Sequence, residues 1–170
     1  MTAVAPTPPV SAAAVSVDAG FVGAGSVDAV SVDAVPEEPS AGSIARVALS
    51  EKAVGLLAEL TEIHGPLMFH QSGGCCDGSS PMCYPDGDFK IGAVDVKLAD
   101  LDAGLPQPIP FWMSESQFAY WSHTHLTVDV VPGRGGGFSV ESPTGQRFLI
   151  RSRLFTDEES AHLVEIVHGG

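Results

Sequence analysis

Three cysteines and a histidine crowd into one run, FHQSGGCCDGSSPMC, which carries His70, Cys75, Cys76 and Cys83. Clustered thiols in a glycine-rich loop suit a soft or borderline transition metal, because the thiolate is a soft ligand. Adjacent cysteines point to different sides of an extended chain, so Cys75 and Cys76 can share one ion only across a tight turn. Gly73, Gly74 and Gly78 permit that turn. The spacing is not that of a zinc-finger pair, and CC is not the CxxC of thioredoxin-like redox sites. The competing readings are one buried thiol with two free ones, and thiol redox chemistry without a metal. An odd cysteine count without a secretion signal argues against a disulfide scaffold.

A second pair of candidate ligands, His123 and His125, lies in WSHTHLTVD. Two residues apart on a strand, both imidazoles would aim at a common point while Leu126, Val128 and Val130 face the core. Asp129 is a candidate acceptor behind them, and Asp77, Asp86, Asp88 and Glu115 are further oxygen ligands or acid–base groups, read more simply as solvated charges. The GRGGG run at 133–137 has no Walker lysine and no GxGxxG spacing, so it reads as a turn. Arg134, Arg147, Arg151 and Arg153 suit an anion or partner contact, or ion pairs with the many carboxylates.

The elements that must position these groups are legible in part. Ser50 caps a helix beginning at Glu51, with Ala53, Leu56, Leu57, Leu60 and Ile63 as its apolar stripe and Gly65-Pro66 as its end. LMFHQ at 67–71 reads as a strand running into the cysteine loop. IGAVDVKLADL, HLTVDVV, FSVES and RFLIRSRLF read as further strands. FWMSESQFAYW fits either periodicity. Thr156 with Glu159 forms a capping box for a last helix expected to continue through ESAHLVEIV. The fold class expected is α+β: a compact mixed or mainly antiparallel β-sheet domain with flanking helices.

The 170 residues carry 21 Asp+Glu against 8 Lys+Arg, a formal net charge of -13. No basic surplus is available to neutralise a phosphate backbone or an anionic bilayer, so neither nucleic acid nor membrane is an expected partner. Residues 1–43 contain no Lys, Arg, His or Cys and repeat a small unit, as VSVDA at 15–19 and SVDAV at 26–30 and 31–35. Ordering such a segment would recover little against its backbone entropy, so 1–43 reads as a disordered acidic tail. Residues 44–170 read as a single domain with 16 acidic and all 8 basic residues, net -8. Met1 is followed by no positive n-region and apolar h-region, so the protein reads as cytoplasmic.

LMFHQSGGCCDGSSPMCYPDGDF, with FWMSESQFAYWSHTHLTVDVVPGRGGGFSVESPTGQRFLIRSRLF, resembles the bacterial domain of unknown function 779 over approximately residues 47–160. Members of that family are often encoded beside aldehyde dehydrogenases, so the resemblance implies an aldehyde dehydrogenase or another protein as partner. A fainter similarity is to the A-type iron–sulfur carriers. Their glycine-cysteine loop is similar to SGGCC at 72–76 and their later Gly-Phe-Asn-Pro region to GGFSVESP at 136–143. It implies a like fold and Cys75 as the loop cysteine, but the chain lacks their late Cys-Gly-Cys pair.

The leading expectation is a metal-binding accessory protein with Cys75, Cys76, Cys83, His123 and His125 as ligands. Zinc is favoured for mixed thiolate and imidazole coordination, and iron and copper stay open. The alternatives are a small metal-dependent hydrolase or oxidoreductase, with Glu115 or Asp77 moving a proton, and a metal-free protein-interaction module. Whether two chains share a site, as in a homo-oligomer, is left open.

Overall fold

Fourteen residues after Ser50 wind into the first helix, α1 (Glu51–His64), which a strand precedes and another follows in the chain. The computed structural model describes residues 43–72 and 80–170. The expected tail, Cys75, Cys76 and Asp77 lie outside the described residues, apart from Ser43 at the tail's end. The Ser50 hydroxyl accepts the Ala53 N–H at 3.2 Å and caps α1. Gly65, at φ 77, ends it with its N–H on the Thr61 carbonyl. Ala53, Leu56, Leu57 and Leu60 are buried, but Ile63 is 73 % exposed, so the apolar stripe stops one turn short of expectation.

The strands form two sheets. β1 (Val47–Leu49), β6 (Thr124–Pro132) and β7 (Gln146–Leu154) make a three-stranded sheet in the order β1-β6-β7, with β1 parallel and β7 antiparallel to β6. The second sheet contains β2 (Leu67–Gln71), β3 (Met82–Pro85), β4 (Asp95–Leu101), β5 (Ile109–Ser114) and β8 (Val167–His168), in the order β3-β2-β5-β4-β8. Only β2 and β5 run parallel in it. With α2 (Glu115–Trp121) and α3 (Asp157–Ser160), this is the expected α+β domain of mixed, mainly antiparallel sheets. Among the described residues no helix is long and apolar enough to cross a membrane.

Alternation decides which side chains meet between the sheets. In β6, Leu126, Val128 and Val130 are buried while His125, Thr127 and Asp129 are less so. Cys83, Phe69 and Phe111 form a row across β3, β2 and β5 on one face, and Met82, His70 and Trp112 form the row on the other. The Phe69 ring meets Phe148 of the first sheet edge-on, centroids 4.9 Å apart, and Phe111 at 5.8 Å. Each of these fully buried rings contributes roughly 1.5–3 kcal/mol through removal from water. A register shift between Lys97 and Ala99, at the buried Leu98, rephases β4, so Val96 is buried before it and Leu101 after it.

One open reading resolves and two expectations change. FWMSESQFAYW divides at Ser114 into the end of β5 and the helix α2. FSVES is a turn-rich segment, not a strand: the Val140 N–H bonds the Cys83 carbonyl of β3, and the other contact with Cys83 runs through the Ser139 side chain. The last helix ends at Ser160 although its capping box is present, because the chain instead bridges to Ile44 at Leu163 and adds β8 to the edge of β4.

Candidate functional site

β2 ends where the cysteine loop begins, and its last residues carry the most developed polar cluster among those described. His70 is 4 % exposed, on the face of the sheet opposite Phe69. Phe89 stacks on its ring at 4.2 Å, and Tyr84 stacks on Phe89 at 5.0 Å, sealing the imidazole from one side. Its Nε2 lies 2.9 Å from Asp95 Oδ1, and its Nδ1 lies 3.0 Å from the Ser72 hydroxyl. The Gly92 N–H donates to the other Asp95 oxygen at 2.8 Å.

The electrostatics assign the protons. Burial pushes the Asp95 pKa up, but the Gly92 N–H and the His70 ring outweigh it and hold the carboxyl below its ordinary value. An ionised carboxylate only accepts, so Nε2 carries a proton at this contact. With a single ring proton, Nδ1 is the nitrogen left to accept the Ser72 O–H. The result is a buried imidazole with one nitrogen locked by a carboxylate and its lone pair turned toward exposed Ser72, the last described residue before the cysteine loop. In metalloproteins a carboxylate commonly orients a ligating imidazole in this way. Sequence reading reached His70 only as a neighbour of the cysteines. It missed Asp95, whose partner is 25 residues away and for which no local signal exists.

Cys83 sits elsewhere. It is 0 % exposed within the apolar core, and burial followed by the nearby Glu141 carboxylate drives its thiol pKa well up. Its N–H donates to Ser139 Oγ at 2.8 Å. It shares a register position with Phe69, so its side chain and that of His70 leave the sheet on opposite faces.

The strand expected to carry both His123 and His125 carries His125 alone. α2 runs to Trp121 and β6 starts at Thr124, so His123 lies in the intervening turn, exposed beside Gln117 and Tyr120 in an open groove. His125 is on the strand, edge-on to Phe155 at 6.0 Å, and burial and the Arg153 guanidinium hold its pKa below the ordinary value. Nor does the fold bring either one to Cys83. Phe69, in register with Cys83, packs on Phe148, which pairs with Val130 of β6. From Val130 to His125 is five residues, about 17 Å of strand, and the two side chains leave on opposite faces.

The arginines on β7 divide as the charge reading allowed. Arg151 Nε bonds Asp129 at 2.6 Å, and Arg153 grips Glu159 with both terminal nitrogens at 2.7 Å. Among the described residues no group of three or more His, Cys, Asp or Glu side chains is placed to hold a metal ion.

A family model described as "Domain of unknown function (DUF779)" matches residues 56–154, from the middle of α1 to the end of β7. No curated protein and no solved structure matches the chain. The matched span includes His70, Asp95, all three cysteines and Glu141, and covers more than half of the 170 residues. The chain belongs to the DUF779 family of domains of unknown function.

Proposed function

We propose that the protein binds a transition metal at the head of β2, with His70 Nδ1 as the imidazole ligand and Cys75 and Cys76 as thiolate ligands. The observation that carries this reading is the bond from His70 Nε2 to Asp95, which fixes the tautomer and leaves Nδ1 as the lone-pair donor beside the loop. Zinc suits two thiolates and an imidazole, and three protein ligands leave a fourth position for water or an exchangeable donor. Such a site fits a carrier or accessory protein, and equally a metal-bound water poised for hydrolysis. Metal analysis of the full chain, purified without chelator, tests it. One metal per chain, lost in the Cys75→Ser/Cys76→Ser double variant, is expected. Metal-free protein that also fails to take up added zinc would overturn the reading.

One observation favours a second reading. Ser72, His70 and Asp95 form a continuous hydrogen-bond chain, the arrangement that activates a serine nucleophile, with the two ring nitrogens exchanged relative to the usual order. A metal-independent esterase activity abolished by Ser72→Ala would select it. Metal binding unchanged by Ser72→Ala, with no such activity, selects the metal site.

A further inference from the structure

A cavity of about 250 Å³ is lined by residues that include Ser72, Met82, Arg134, Gly135, Glu141 and Phe148. Glu141 is 1 % exposed, an unusual place for a carboxylate, and burying such a group is costly unless donors surround it. Three donors do: the Ser139 hydroxyl and the backbone N–H groups of Glu141 and Phe148. Burial still pushes its pKa above the ordinary value despite them. A carboxylate offers about four lone-pair sites, so one stays open. The oxygen Oε1 packs against Gly135, where a Cβ would stand 2.6 Å from it, so a residue with a side chain there would collide with the carboxylate. Arg134, exposed on the same cavity, brings the planar donor fork that grips a carboxylate in bidentate fashion. Met82 and Phe148 add apolar wall to the same cavity. The space is below the roughly 300–1,000 Å³ of sites for larger ligands, which limits the occupant to a small molecule.

We propose that this cavity binds a small carboxylic acid carrying a hydroxyl or amino group, with the acid taken by Arg134 and the O–H or N–H donor by Glu141. The site uses neither His70 nor any cysteine as a ligand contact, although Ser72, which bonds His70 Nδ1, lines the same cavity, so titration in chelator separates it from the metal reading.

Amide NMR titrations of the full chain with lactate, alanine and propanoate test it. Lactate or alanine is expected to shift the Gly135, Gly136 and Phe148 resonances and to bind about tenfold more tightly than propanoate, which lacks the donor. Arg134→Met, at an exposed position, is expected to weaken that binding about tenfold with the fold intact. Glu141→Gln is expected to erase the preference over propanoate. No shift at these residues with any of the three acids would overturn the proposal, as would binding that Arg134→Met leaves unchanged.

Discussion

Asp95 and His70 meet at 2.9 Å although β5 runs between their strands. Neighbouring strands are about 4.8 Å apart, so the carboxylate reaches over the small Ser114 side of β5 to a ring two strands away. The pair therefore exists only once β2, β5 and β4 are assembled, and it couples a potential ligand to the sheet that carries it. Replacing Asp95 with Asn keeps the shape and removes the charge. Metal affinity, read by competition with a chelator, is expected to fall about 10–100-fold.

Cys83 is expected to behave as a core residue. Its burial and raised pKa predict that, in the folded protein, a thiol reagent labels it only as fast as the chain opens. Cys83→Ala is expected to leave metal content unchanged and to cost about 1 kcal/mol in denaturant unfolding. Loss of metal in that variant, with the fold retained, would make the third thiol a ligand.

Phe69 joins the two sheets through Phe148 and Phe111. Phe69→Ala is expected to destabilise the domain by about 3–5 kcal/mol in urea unfolding, because the cavity is lined by rings that cannot collapse into it. A cost below about 1 kcal/mol would mean that the sheets are not packed at this position.

Asp129 ties α1 to the first sheet. It accepts from Arg151 Nε and, at 2.7 Å, from the Ser50 hydroxyl that caps the helix. These bonds, Arg151 first, lower its pKa from 3.8 to about 2. A carboxyl depressed in the folded state contributes stability above its unfolded pKa and loses it as the pH falls through the folded value. Acid unfolding is therefore expected to draw on Asp129 between about pH 4 and pH 2, and Asp129→Asn is expected to flatten that part of the stability–pH curve. An unchanged curve would place the acid sensitivity elsewhere.

Local patterns carried the elements that build the scaffold. The Ser50 cap, the LMFHQ run and the alternation from Leu126 to Val130 each announce themselves within a few residues, and all three stand in the structure. The site was less legible, for physical reasons. His123 and His125 shared a parity in the sequence, but parity binds two residues to one face only inside a strand, and α2 and its turn place His123 before β6 begins. His70 lay in plain view, yet its meaning depends on Asp95, brought to it by a parallel β2–β5 pairing that no local signal encodes. Glu141 fell within FSVES, a run read as a strand, whereas the chain there turns and buries it.

Zinc titration of three full-length proteins, the unmodified chain, His70→Ala, and His123→Ala/His125→Ala, compares the two sets of imidazoles most directly, with thermal unfolding checking that each is folded. The expected result is stoichiometric binding by the unmodified chain and the double variant, and affinity reduced by at least about tenfold in His70→Ala. Undiminished affinity in folded His70→Ala, with loss in the double variant, would contradict the assignment of the site to the head of β2.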